Sequence, residues 1–126
     1  MTKVMIVDDA VFVRRHVSEV LTEAGFSVVD AVDGVDALAK LASTPDVGLV
    51  LCDVNMPNKD GLAFVEEARR PDAWPHLKVV MLTTEGQAEL IHRAKAAGAL
   101  GWIVKPFKAD TLVATVRRLT AVRSVA

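Results

Sequence analysis

Short apolar runs punctuate the chain, and each is followed by a stretch whose apolar positions recur at helical spacing. Lys3–Val7 closes on Asp8 and Asp9, Gly48–Cys52 on Asp53, Leu77–Leu82 on Thr83 and Leu100–Val104 on Lys105, while Ser27–Ala31 completes the set. Runs this short and this rich in Val, Ile and Leu read as strands buried on both faces of a parallel sheet. Between the first two, Val11–Ala24 places Val13, Val17, Val20, Leu21 and Ala24 on one helical face. Arg14, Arg15, Ser18, Glu19 and Glu23 take the other, and Gly25 is suited to a left-handed stop. Further helices are predicted over about Gly34–Ser43 (Val35, Leu38, Ala39 and Ala42 inward), Leu62–Arg69, Gln87–Ala97 with Gly98 behind it, and Ala109–Val122 (Leu112, Val113, Val116 and Leu119 inward). The segments Asn55–Gly61 and Arg70–Pro75 are loops by composition.

Strand–helix alternation repeated along the chain predicts an α/β fold, a doubly wound five-stranded parallel sheet with helices on both faces. Right-handed crossovers leave few strand orders, and 2-1-3-4-5 is favoured. In such a sheet the carboxyl ends of the strands line one crevice where ligands bind. Asp8, Asp9, Asp53, Thr83 and Lys105, scattered through the sequence, are therefore expected to converge.

Composition narrows the class. The chain has 126 residues, enough for one domain, and no output domain is expected; 52% of it is apolar and 25% charged, which is globular composition. Fifteen basic and sixteen acidic side chains nearly cancel, so no large field favours nucleic acid or an anionic membrane. Without an apolar stretch near the ~20 residues that span a bilayer, and with two aspartates close to the amino terminus, a cytoplasmic protein is expected. Cys52 lies in a core strand and reads as a small buried hydrophobe.

Three carboxylates in one cleft repel each other and take up protons unless a cation sits among them. Mg²⁺ suits the set, since it prefers oxygen ligands and bridges to phosphate. Asp53, at the end of the central strand, is the candidate nucleophile for an aspartyl-phosphate. Lys105 and Thr83 supply an ammonium and a hydroxyl for the charge on a transferred phosphoryl group. Pro106 fixes the backbone beyond Lys105 and admits a cis bond. A helix-capping role is the alternative for Asp9.

Val7-Asp8-Asp9, Asp53-Val54-Asn55-Met56-Pro57 with Asp60-Gly61, Leu82-Thr83-Thr84 and Lys105-Pro106-Phe107 together resemble the receiver domains of two-component response regulators, most nearly the single-domain chemotaxis type. The flavodoxin-like strand order is a known property of such receivers. The resemblance implies Asp53 as phosphoacceptor, with Asp9, Asp53 and the Asn55 carbonyl as direct Mg²⁺ ligands and Asp8 acting through water. It implies Lys105 on a phosphoryl oxygen and Thr83 as a hydroxyl that moves inward. It also implies a sensor histidine kinase as phosphodonor, a downstream protein partner and a monomer. Asn55 and Glu85 flank the expected path of the hydrolytic water and are candidates for tuning dephosphorylation. Trp102 stands where similar receivers carry a Tyr or Phe that swings with the Thr; the larger indole, and Thr84 beside the switch, put a full swing in question. His92, Arg93, Lys95, Lys108, Arg117 and Arg118 read either as solvated helix faces or as a partner surface around helix four, strand five and helix five. His16 reads as a surface or kinase-contact residue.

Two other classes fit less well. A phosphatase acting in trans usually needs an acid/base Asp two residues after the nucleophile, where Asn55 stands, and a nucleotide binder needs a glycine-rich loop where Asp8-Asp9-Ala10 stands. Within the receiver reading, a relay intermediate that passes its phosphoryl group to a histidine phosphotransfer protein is the alternative to a chemotaxis regulator.

Overall fold

A computed structural model of the chain describes residues 3–54, 56, 59–74, 76–84 and 88–120. The strands are β1 (Lys3–Val7), β2 (Ser27–Ala31), β3 (Val47–Asp53), β4 (Lys78–Thr83) and β5 (Gly101–Val104). They alternate with α1 (Val11–Glu23), α2 (Gly34–Ser43), α3 (Gly61–Ala68), α4 (Ala88–Ala97) and α5 (Ala109–Thr120). The sheet order is β2-β1-β3-β4-β5, with every neighbouring pair parallel. This is the predicted fold and topology.

Side chains alternate across the three inner strands and so feed two cores. Met5, Val7, Val50, Cys52, Val79 and Met81 pack towards α2, α3 and α4. Val4, Ile6, Leu49, Leu51, Val80 and Leu82 pack towards α1 and α5. Because both faces are covered, these strands are apolar at nearly every position, the reason their sequence runs look continuous. Leu112 and Val116, both fully buried, seat α5 on the sheet, each contributing about 1.5–3 kcal/mol. Gly25 (φ 95°) follows α1 in the left-handed conformation expected of it, and Gly98 (φ 106°) takes the same conformation after α4.

The phase of α2 differs from the predicted one. Gly34, Ala37 and Leu41 face the core with Leu38 beside them, while Val35, at 54% exposure, and Ala39 and Ala42 face outward. The helix start dictates this. The Asp33 carboxylate caps it by accepting from the Asp36 amide at 2.8 Å, and the Gly34 amide donates to the Lys59 carbonyl at 3.2 Å. A Cβ at Gly34 would meet Lys59 at 2.8–2.9 Å. Position 34 is thereby fixed inward, and the positions three, four and seven residues later follow it. The predicted first residue of helix four, Gln87, and the last two of helix five, 121 and 122, lie outside the described residues. Among the described residues, no helix is long and apolar enough to cross a membrane.

Candidate functional site

Parallel register carries the acids to one level. Val7 of β1 pairs with Cys52 of β3, so the residues that follow, Asp8 and Asp53, stand side by side at the carboxyl edge of the sheet. Asp53 is itself the last residue of β3, one position further than predicted, and pairs with Leu82 of β4; Thr83 ends that strand. The Lys105 amide donates to the Thr83 carbonyl at 2.7 Å, one rung beyond β5, and the Lys105–Pro106 bond is cis. Neighbouring strand ends thus deliver Asp8, Asp53, Thr83 and Lys105 to one crevice.

Local hydrogen bonds hold the loops. Asp8 Oδ1 accepts from the Ala10 amide at 2.9 Å, and Arg14 Nη1 donates to the Asp8 carbonyl at 2.8 Å while its Nε reaches Asp30 Oδ2 at 3.1 Å. Ala10, not Asp9, occupies the N-cap of α1, and no side chain caps it. The exposed Asp9 carboxylate is therefore not committed to the helix. On the other side the Gly61 amide donates to the Val54 carbonyl at 2.9 Å. A Cβ at Gly61 would lie 2.1 Å from the Asp53 carbonyl oxygen, so only glycine permits the turn to close this tightly behind Asp53. Neither Arg14 nor Gly61 was assigned a supporting role from sequence. Their signals were present, a basic residue one helical turn into α1 and a glycine just behind the Asp60 cap, but neither states which backbone it approaches.

The electrostatics are uneven. Lys105 Nζ lies 2.7 Å from Asp8 Oδ2 and 3.5 Å from Asp53 Oδ1, a single ammonium bridging two acids. Carboxylate oxygens of Asp8, Asp9 and Asp53 all lie within 4.8 Å of one another. Asp8 is 1% exposed, Thr83 7% and Asp53 8%, with 12% for the Asp53 side chain alone. Burial first, and then the Asp8 charge, raise the Asp53 pKa above the ordinary carboxylate range, with Lys105 pulling against both. Burial, reinforced by the charge on Asp53, pushes the Cys52 thiol well above its usual value, so this buried cysteine stays protonated and acts as a core hydrophobe.

One ammonium does not neutralise three carboxylates. The surplus negative charge, two of its three acids held in a nearly closed crevice and all offering oxygen, is the donor set a hard divalent cation takes. This acidic cluster could hold a metal ion. Asn55 and Glu85, assigned a carbonyl ligand and dephosphorylation tuning, lie outside the described residues. Thr84 is exposed beside Thr83. Trp102 is half-buried against the α2–α3–α4 side of the core, with Lys95 Nζ 5.2 Å above its ring. His92, Arg93, Lys95, Lys108 and Arg118 are exposed on α4 and around α5. Arg117 turns the other way, its Nη2 donating to the Ala24 carbonyl at the end of α1 at 3.2 Å.

An apolar groove of about 350 Å³ opens beside Lys105, lined by Phe12, Val13, His16, Thr84, Lys105, Pro106 and Phe107. His16 stacks between Phe12 (6.3 Å between centroids) and Phe107 (5.9 Å). Sequence reading did not single out Phe12, because a phenylalanine beside an amphipathic stripe ordinarily joins the core.

Comparison with known proteins agrees with the fold. The response regulator receiver domain family matches residues 4–117. The chain is 41% identical over 106 residues to a chemotaxis protein CheY of Treponema pallidum, covering 82% of this chain and 72% of that protein. It is 36% identical over 118 residues to the chemotaxis protein CheY of Bacillus subtilis, covering 92% and 95%. The solved structure of chemotaxis protein CheY4 of Vibrio cholerae is similar at a TM-score of 0.89 and 41% identity, covering 94% of this chain and 98% of that one. The receiver domain of NtrX from Brucella abortus is similar at a TM-score of 0.85 and 34% identity, covering 93% and 97%.

Proposed function

This chain belongs to the response regulator receiver family, and from that premise we propose that it is a phosphorylation-switched signalling module of the chemotaxis type, with Asp53 as its phosphoacceptor. The observation that carries the reading is the Lys105 ammonium, 2.7 Å from Asp8 and 3.5 Å from Asp53 at the end of the central strand. It stands where a phosphoryl oxygen arriving at Asp53 would need a positive partner. The chemotaxis assignment rests on relatives that carry that name and span most of this chain.

An Asp53 oxygen attacks the phosphorus of a kinase phosphohistidine or a small acyl phosphate, and the bond to the donor breaks as the aspartyl-phosphate forms. Lys105 leaves Asp53 for the incoming phosphoryl oxygens, and the Thr83 hydroxyl donates to another. Asp8, Asp9, Asp53 and the Asn55 carbonyl would hold Mg²⁺, which supplies neutralisation of the clustered negative charge when bound. Asn55 and Glu85 are assigned to setting the lifetime of the acyl phosphate. Apart from this making and breaking of its own aspartyl-phosphate the protein catalyses nothing; it acts as a monomeric cytoplasmic domain. Thr83 and Trp102 couple the phosphoryl group to the surface of α4, β5 and α5, where affinity for a protein partner changes by population shift.

Incubation with acetyl phosphate and Mg²⁺ followed by intact mass measurement tests the reading. One phosphoryl group is expected on the wild-type chain and none on Asp53→Asn. Equal labelling of both, or none of either, overturns it.

A further inference from the structure

The groove beside Lys105 is not used by the chemistry described so far. Phe12 is 79% exposed although it is among the largest apolar side chains of α1, a costly arrangement unless the ring meets something. It is not isolated, because its stack with His16 and Phe107 builds a continuous aromatic ledge. The ledge is contiguous with the phosphoryl site through Lys105, which lines the groove and whose ammonium lies 3.5 Å from Asp53 Oδ1.

We infer that this groove is a donor-selectivity subsite, which seats the acyl group of small-molecule phosphodonors and favours acyl phosphates with an aromatic or branched apolar acyl group over acetyl phosphate. The inference rests on Asp53 as phosphoacceptor and names the substrate class that acceptor prefers. Charge and polarity are divided as such a donor requires: the dianionic phosphoryl end meets the Lys105 ammonium, and the apolar end meets rings and Pro106. A volume of about 350 Å³ admits a benzoyl group with room to spare. In the transfer step the bond between phosphorus and the acyl carboxylate oxygen breaks, and its electron pair leaves on that oxygen. The Asp53–phosphorus bond forms, the acyl group departs as a carboxylate, and neither a proton nor a redox partner is needed.

The test compares phosphorylation of Asp53 by benzoyl phosphate and by acetyl phosphate at equal Mg²⁺, read by intact mass over a range of donor concentrations. Wild type is expected to show a KM about tenfold lower for benzoyl phosphate, the scale of seating one ring on apolar surface. In Phe12→Ala that KM ratio falls towards unity, and Phe12→Leu restores part of it. Phe12 is mostly solvent-facing, so these variants keep the core intact. Titration with benzylphosphonate, which cannot transfer, is expected to bind wild type several-fold more tightly than methylphosphonate does, with the difference lost in Phe12→Ala. If acetyl phosphate labels Asp53 but the two donors share one KM in wild type, or the ratio survives Phe12→Ala, the subsite is wrong and the phosphoacceptor reading stands. If Phe12→Ala slows transfer from phosphoimidazole while the acyl donor ratio is unchanged, the groove serves a phosphohistidine-bearing partner and the subsite is again overturned. If neither donor labels Asp53, the failure belongs to the phosphoacceptor reading.

Discussion

Asp53 is held as a partly desolvated acid beside Asp8, and its raised pKa has a direct consequence for stability. Between the unfolded carboxylate value of about 3.9 and the higher folded value, the native state binds more protons than the unfolded state. Stability contributed at this site is therefore present at low pH and is lost as pH rises through the folded pKa. Asp53→Asn removes the charge and keeps the shape, while Lys105 retains Asp8 at 2.7 Å. Without added metal the variant should melt about 2–4 °C higher than wild type at neutral pH, with the difference closing below pH 4; a variant no more stable at pH 7 would contradict the electrostatic account. Gly61 makes the opposite kind of prediction. Gly61→Ala drives a Cβ to within 2.1 Å of the Asp53 carbonyl oxygen, so denaturation should show a loss of about 1–3 kcal/mol together with slower acceptor labelling. Cys52 should resist iodoacetamide in the native protein at pH 8 and react only on unfolding, since burial keeps its thiol protonated. The chemical types at this site were legible because Asp8, Asp53, Thr83 and Lys105 each end an apolar run. Gly61 and Arg14 act on backbone carbonyls brought near by tertiary packing, and sequence spacing carries no record of that.

At the level of elements, strands were readable and helix phase was less so. Continuous apolar runs flanked by polar residues leave little choice for β1, β3 and β4, although β3 takes in Asp53 because its ladder with β4 continues through that position. Helix α2 carries small apolar residues on more than one face, so periodicity alone permits two phases, and a capped first turn packed on Lys59 selects between them. The same capping logic fixes α3, where Asp60 accepts from the Ala63 amide at 2.8 Å. Asp60→Ala should cost about 1 kcal/mol in urea denaturation. Between α4 and β5 the Lys95 ammonium lies 5.2 Å above the Trp102 ring, a contact worth about 0.5–1 kcal/mol at an exposed site. It holds the indole against α4, so a movement of Trp102 coupled to phosphorylation would break it. Lys95→Ala should then bind a phosphoryl mimic such as beryllofluoride, in the presence of Mg²⁺, about two- to fivefold more tightly. Tryptophan emission reports the titration, with the half-buried Trp74 as a constant background. An unchanged affinity would separate Trp102 from the switch.

For the whole molecule, the crevice concentrates negative charge that the rest of the chain does not. The chain carries a net charge of only −1, yet Asp8, Asp9 and Asp53 crowd within 4.8 Å against one lysine. Such a crevice is destabilised by its own charge, and a cation bound there would recover that loss. Divalent cation should raise the melting temperature with concentration, by about 2.7 kcal/mol of stability at one hundred times the dissociation constant. Asp9→Asn, which alters an exposed acid outside the core, should leave metal-free melting near wild type and reduce the Mg²⁺ response. Asp53→Asn should start higher than wild type and gain less, so the two melting curves cross as Mg²⁺ is added. The pH dependence should change in step. Without metal, stability declines as pH rises through the Asp53 pKa; at saturating Mg²⁺ the ionised carboxylate is the bound form, and the decline should flatten or reverse. Calorimetry in chelator and in Mg²⁺ between pH 4 and pH 8 would distinguish a site strained by its own charge from one that merely tolerates a cation. Parallel profiles with and without metal would show that the carboxylates are not coupled through a shared ion, and the charge-based account of the crevice would fail with them.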